Sequence, residues 1–295
     1  MRNLLFIFIL LNLAACNSTP DKATEHKTDH THVADTASQS TETTDSTTLP
    51  TDNELQHYAV DTTGLTPEPK ADFKILIEGR FHKQEVWEGA ENKQWMGLVF
   101  EDSTFQLRPT SMQVKPFFDP VNDRGRKVMS GREVVGEFPN TLLLITGIGQ
   151  LKSGLVDTVS YPNQVILPNT AINLKYKGKT YTLEASGDSI KDESSESYSI
   201  RNYSWKISGT KHGRKISQVL ATDEGFESAI YELLWIGDLD RDGIPDLLAD
   251  LSNHYNASKV TLFLSSKADK GKLYKKVASF NTEAYPSPTE ADGLR

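Results

Sequence analysis

The sequence predicts a mainly β fold, built of antiparallel sandwich or meander sheets and carried by residues 70–295. Two observations point there first. Short apolar stretches of strand length recur along this region, and two pairs of them flank tight turns of Gly and polar residues. A third is negative: no stretch keeps a long helical period. The region is long enough for one large or two small domains.

The chain opens differently. Met1 and Arg2 make a short basic start, and Leu4 to Leu13 is apolar apart from Asn12. As a helix that run reaches only about 15 Å, half of a bilayer core. This is the length of a signal-peptide apolar region and too short for a span. It ends in Leu13-Ala14-Ala15-Cys16. Met1–Cys16 therefore resembles the signal and lipobox of bacterial lipoproteins. The resemblance implies a signal peptide over 1–15, cut before Cys16, and lipid on the Cys16 thiol and amine. Asn17, where Asp would retain a lipoprotein in the inner membrane, leans toward the outer membrane. Cys16 is the only cysteine, so no disulfide forms within the chain. Two or three acyl chains, at about 0.8 kcal/mol per buried methylene, anchor a protein stably. No other apolar run approaches span length. The alternative is an ordinary signal peptide cut elsewhere, with Cys16 lost.

Residues 16–69 read as a tether. Asn17 to Asp52 is rich in Ser and Thr, with Val33 and Leu49 its only large apolar residues. Such a stretch buries too little to offset its ordering entropy, so it is expected to be disordered. Pro67 and Pro69 close it. A flexible chain of this length spans roughly 40 Å. His26, His30 and His32 lie among Glu25, Asp29 and Asp35. They read either as a zinc or copper site or as solvated polar residues. Asp35-Thr36-Ala37 and Asp45-Ser46-Thr47 resemble the acceptor triplets of periplasmic O-glycosylation, as does Asp61-Thr62-Thr63. The formal net charge is −8. That argues against nucleic acid as a partner, and against anionic lipid surfaces bound through bulk charge.

The strands then follow in order. Phe73 to Phe81 alternates, with Phe73, Ile75 and Ile77 on one side. Trp95 to Phe100 comes after a Gly/Asn loop, and Thr141 to Ile148 is a continuous apolar run that fits a strand buried on both faces. Asn173 to Ala185 is a hairpin about Lys177-Gly178. Tyr203 to Ser208 and Lys215 to Ala221 make a second, around Gly209 to Gly213. Glu224 to Leu234 is the best helix candidate, although Ile230 to Ile236 reads equally as a strand. Lys115 to Val134, rich in charge and turn residues, is a binding loop or decoration. A domain boundary can be placed near 154–162, or the region is one continuous sandwich. No repeat of fixed period is present, which argues against a propeller formed by this chain alone.

One motif carries chemistry. Within Trp235–Leu248, Asp238, Asp240, Asp242 and Asp246 stand at positions 1, 3, 5 and 9 of a loop, with Gly243 at position 6. Calcium takes six to eight hard oxygens at 2.3–2.6 Å. Carboxylates at alternate positions of a tight loop converge on a point, and Gly243 allows the turn that lets the Ile244 carbonyl face inward. Without a cation the four would repel, and Arg241 should point outward. The twelfth position is Ala249, where an EF-hand has a bidentate Glu. The strand-like flanks, with Lys259 to Leu264 beyond, instead resemble the FG-GAP type of calcium loop, which joins two strands of a propeller blade. The resemblance implies strand, calcium loop, strand, with Asp238, Asp240, Asp242, Ile244 and Asp246 as ligands. It departs from that family in occurring once, so neither a propeller nor its adhesion roles carry over. The expected role of calcium is structural, with a dissociation constant of about 10⁻⁴–10⁻³ M. Asp250 and His254 read as surface residues.

Signs of an enzyme are thin. The sequence has no Gly-x-Ser-x-Gly elbow and no Gly-rich phosphate loop. His82, His212 and His254 are scattered, and Glu85 and Glu88 stand out no more than other acidic residues. Trp87, Trp95, Trp205 and Trp235 read as core residues before sugar platforms. The expectation is a non-catalytic, lipid-anchored envelope protein whose calcium-stabilised β domain binds a protein or an envelope polymer. The alternative is a hydrolase or carbohydrate-processing accessory. On the lipobox reading, mass spectrometry should find an acylated N-terminal cysteine at position 16, and Cys16→Ala should move the chain from the membrane to the soluble fraction.

Overall fold

The computed structural model describes residues 49–147, 149, 151–191 and 198–282, and over these the chain is mainly β with several antiparallel sheets. The signal, Cys16, the tether histidines and the first two acceptor triplets lie outside the described residues. A short helix α1 (Asp52–Leu55) and β1 (Ala59–Val60) come first. Then come β2 (Lys74–Leu76), β3 (Gly79–Phe81), β4 (Trp95–Glu101), β5 (Thr104–Thr110), β6 (Met112–Phe117), β7 (Val128–Met129), β8 (Gly131–Gly136), β9 (Thr141–Thr146) and β10 (Gly154–Val156). The second half supplies β11 (Ala171–Tyr176), β12 (Lys179–Lys191), β13 (Tyr198–Lys211) and β14 (Arg214–Gly225). It ends with β15 (Glu232–Gly237), β16 (Asp246–Asp250), β17 (Lys259–Leu264) and β18 (Lys275–Asn281).

Local chemistry explains the hairpins. Lys177-Gly178, between β11 and β12, has φ of 44° and 75°, and His212-Gly213, between β13 and β14, has 49° and 75°. Two left-handed residues in a two-residue turn match the twist of the flanking strands. Asp102-Ser103 turns β4 into β5 in the same way, without a glycine. In β11 the outward Ala171, Asn173 and Lys175 alternate with the buried Ile172, Leu174 and Tyr176. That period of two is what a sheet with one wet face requires.

The strands form a five-stranded sheet ordered β10-β5-β4-β9-β2, an outer sheet ordered β11-β12-β13-β14 and a central sheet ordered β15-β16-β17-β18. A three-stranded sheet (β3-β8-β6) and a parallel pair (β1 with β7) complete them. The central sheet is a plain meander with apolar residues on both faces. Leu248, Val260, Leu262 and Phe280 join the core shared with the five- and three-stranded sheets. Leu247, Ala249, Leu251 and Phe263 join a second core with the outer sheet. A β-bulge between Leu233 and Trp235 decides the faces in β15. Strict alternation would place both residues on one side, whereas Leu233 packs in the outer core and Trp235 in the other. The middle of β16, Leu247-Leu248-Ala249, is accordingly apolar without alternation.

Several expectations change. Phe73 to Phe81 is two strands, because β2 pairs with β9 while β3 crosses to β8. Glu224 to Leu234 is no helix: β14 runs to Gly225, and β15 begins at Glu232, paired with Asp250. Period-two burial of Leu233 and Tyr231 in one core outweighs the local helical pattern. Residues 52–61, counted above with the tether, contain α1 and β1, and Asp61 pairs with the buried Lys83 at 2.9 Å. The stretch at 154–162 joins sheets: β10 pairs with β5, and the Val159 N–H donates to the Ile236 carbonyl of β15. All four tryptophans are core residues. Among the described residues no helix is long and apolar enough to cross a membrane.

Because the central sheet is covered on both sides, Leu247→Ala and Leu248→Ala, which face opposite cores, should each cost about 2–5 kcal/mol. Val219→Thr on the exposed side of β14 should stay within about 0.5 kcal/mol. Urea unfolding of the three variants checks this.

Candidate metal centre

The acidic loop spans the turn from β15 to β16, at one end of the central sheet. Two glycines shape it. Gly237 has no room for a side chain, since a Cβ there would sit 2.4 Å from the Trp235 ring and 2.7 Å from the Asp157 carbonyl oxygen. Gly243 takes a φ of 86°, which L side chains rarely adopt. Arg241 points out of the loop, donating from Nη2 to the carbonyls of Ser153 at 2.9 Å and Lys152 at 3.1 Å.

The structure brings one oxygen each of Asp238, Asp240 and Asp246 within 4.8 Å of one another. Asp246 is fully buried; its Oδ1 accepts from the Ser265 N–H at 2.8 Å and its Oδ2 from the Leu239 N–H at 2.9 Å. Asp238, 2 % exposed, accepts at Oδ2 from the Tyr176 hydroxyl at 2.8 Å, the Gly243 N–H at 3.1 Å and the Lys177 ammonium at 3.3 Å. Asp240 Oδ2 accepts from the Ser266 hydroxyl. The remaining oxygens, Asp238 Oδ1 and Asp240 Oδ1, are buried and take no hydrogen bond among the described residues. Asp242 stands outside the trio: its Oδ1 accepts from the Ile244 N–H at 2.9 Å and its Oδ2 from the Ser265 hydroxyl. Ile244 puts its side chain into the outer core. Asp250 caps the next turn, accepting from the N–H groups of Ser252 and Lys259, and His254 pairs with Glu227.

The electrostatics follow. Burial, with the charges of Asp240 and Asp242 beside it, holds the Asp246 carboxyl well above the usual carboxylate range. Burial, with Asp242 and Asp238 close by, raises Asp240 too. Lys177 is the one cationic partner recorded for these carboxylates among the described residues, and it also serves Asp157 at 3.2 Å. Uncompensated buried charge is costly. An oxygen-only donor set with two empty, buried acceptors has the chemistry of a hard-cation site.

The sequence missed the supports. Tyr176 and Lys177 come from the β11–β12 turn, and Ser265 and Ser266 from the end of β17. No spacing announces them. The other candidates stay apart in role: His82 Nδ1 lies 2.5 Å from Asp119 Oδ2, and His212 is a turn residue. Glu85 accepts from the His82 N–H. The long loop after β6 is tied down by buried Asp119 and Asp123, with Asp123 Oδ2 accepting from the N–H groups of Asp119 and Ser130. The chain matches no protein-family model, no curated protein and no solved structure, so the site is read from its own geometry.

In the cation-free chain Asp240 and Asp246 bind protons more tightly folded than unfolded. Their contribution to stability is therefore complete only below the unfolded carboxylate value, about pH 4, and is lost as pH rises through their raised folded values. Asp240→Asn removes one such buried charge. In chelator at neutral pH it should stabilise the chain, on the scale of about 1–3 kcal/mol for a buried group lacking its partner, and flatten that pH dependence. Chemical denaturation across pH 4–8 measures both.

Proposed function

We propose that the Asp238–Asp246 loop binds calcium as a structural staple, in a non-catalytic, lipid-anchored envelope protein whose β domain binds a protein or an envelope polymer. The observation that supports it most is the pair of buried, unpartnered oxygens, Asp238 Oδ1 and Asp240 Oδ1, beside buried Asp246. Oxygens within 4.8 Å of one another can share a cation at 2.3–2.6 Å. Among the described residues no histidine or cysteine joins the trio, which favours an oxygen-loving cation over zinc or copper. On the loop pattern, Asp242 and the Ile244 carbonyl would complete the set. The four-stranded meander around the loop agrees with the FG-GAP resemblance, and the lipid anchor rests on Met1–Cys16 alone.

A cation here would act on more than its loop. Asp238 would hold it through Oδ1 while Oδ2 holds Tyr176 and Lys177 of the outer sheet. Asp240 and Asp246 would hold it while accepting from Ser266 and Ser265. Three segments distant in sequence would thus meet on one ion.

A ligand that binds only the folded state adds about 2.7 kcal/mol at 100 times its dissociation constant. For a domain of this size that is a rise of about 5–10 °C in Tm. At the expected dissociation constant of about 10⁻⁴–10⁻³ M this takes roughly 10–100 mM calcium; the full-length chain should show the rise there against chelator, and Asp240→Ala should abolish it. Tyr176→Phe should keep the rise but need several-fold more calcium. Equal melts with and without calcium, or a rise surviving in Asp240→Ala, would remove calcium from the loop.

A further inference from the structure

Away from the acidic loop, the half of the β13–β14 hairpin nearest Gly225 forms one side of a cleft of about 460 Å³. The connections after β14 and β16 form the other side. A second hollow of about 440 Å³ shares the lining residue Glu224 with it.

The walls are built. The Glu227 N–H donates to the Asn253 carbonyl at 2.8 Å, and the Tyr255 N–H returns to the Glu227 carbonyl at 3.0 Å. This parallel bridge locks the two connections together. The Phe226 N–H, donating to the Ile200 carbonyl at 3.3 Å, ties them to β13. His254 Nε2 lies 3.1 Å from a Glu227 oxygen, and its ring stacks on Tyr255 at 4.7 Å. Tyr255 is nonetheless 52 % exposed, one of the few large aromatics shown to solvent among the described residues. The backbone is irregular here as well. Asn202 and Ser228 take left-handed φ of 52° and 47°, and β12 is bulged between Ser186 and Asp188, with Asp188 accepting from Asn202 at 2.7 Å. Bulges and strained residues gather at functional sites, where they re-aim side chains.

The chemistry selects among ligands. Arg201 and Asn253 donate, Glu224 and Glu227 accept, and the rings of Phe226 and His254 share the lining, with exposed Tyr255 stacked on His254. Hydroxyls that both donate and accept, on a ring with an apolar C–H face, answer that combination. Acidic groups outnumber Arg201, and Asp223 adds another in the adjoining hollow. Phosphate, sulfate and uronate groups would meet like charge. A peptide anchored by large apolar side chains would find only Phe226 and Ile200. Two hollows that share a wall residue suit a chain over a single unit.

We propose that this cleft binds a neutral saccharide chain. The assignment rests on the binding role proposed above and narrows it to an envelope polymer; it does not depend on calcium.

The test titrates the full-length chain with chitohexaose, cellohexaose and mannohexaose by calorimetry. Polygalacturonate and hexalysine are the charged comparisons. At least one neutral hexasaccharide should bind and be recovered uncut by mass spectrometry. Tyr255→Ala and Glu227→Gln should each weaken it at least tenfold with unchanged melts, while Asp240→Ala should leave it bound. No binding by any neutral hexasaccharide overturns the proposal, as does binding indifferent to both cleft variants. Binding of hexalysine alone overturns it in favour of a basic peptide. A hexasaccharide that is bound and then cut upholds the cleft and overturns the non-catalytic role.

Discussion

Two carboxylates, Asp238 and Asp246, are buried at the end of a sheet that is itself covered on both faces. Water cannot reach them freely, so every neighbour must answer their charge. Asp246 is answered by two backbone N–H groups, one from its own loop and one from Ser265. Asp238 is answered from another sheet, by Tyr176 and Lys177. These bonds fix where the β11–β12 turn and the end of β17 lie, and so how the outer sheet seats on the central one. They still leave Asp238 Oδ1 and Asp240 Oδ1 unanswered. The proposed calcium would complete a balance that the protein's own donors leave short.

The layering gives this local constraint its reach. Leu247 and Leu248 are neighbours in sequence and belong to different cores. A shift of one residue in β16 would exchange them and carry Asp246 away from Ser265 and Leu239. The β-bulge in β15 does the same service on the partner strand, putting Leu233 and Trp235 on opposite sides. The register of the central sheet and the geometry of the acidic loop are therefore set together. At the far end of the outer sheet, bulges and left-handed residues serve another purpose. They stand beside the cleft lined by Arg201, Glu227 and His254, where the proposed saccharide chain would lie.

Much of the β character was legible because its signals are local. Lys177-Gly178 announces its hairpin through two residues, and the alternation in β11 is readable from side chains alone; Gly209 to Gly213 marks the second hairpin only broadly, since β13 runs on to Lys211 before the His212-Gly213 turn. Reading failed where two local patterns competed. Glu224 to Leu234 carries a fair helical period, and only the strand pairing of Glu232 with Asp250 decides against it. Phe73 to Phe81 alternates well enough for one strand, and only the diverging partners β9 and β8 split it. Asp119 and Asp123 lie in the charged loop from Lys115 to Val134, yet both are buried. Their hydrogen bonds reach His82 and Ser130, which no short window includes.

The sequence by itself determined the β class, the hairpin turns, the outward set of Arg241 and the acidic loop with its glycine. All are properties of neighbouring residues, governed by backbone sterics and by period. It also carries the whole case for a lipid anchor at Cys16. Only the tertiary structure decided that the central sheet is buried twice, and that three of the loop's carboxylates converge while Asp242 turns to Ser265. Only it brought Tyr176, Lys177 and Ser266 to those carboxylates, or Glu227 and His254 to one cleft. Contacts between residues tens of positions apart depend on which faces the sheets present to one another, and that follows from the burial of the whole chain.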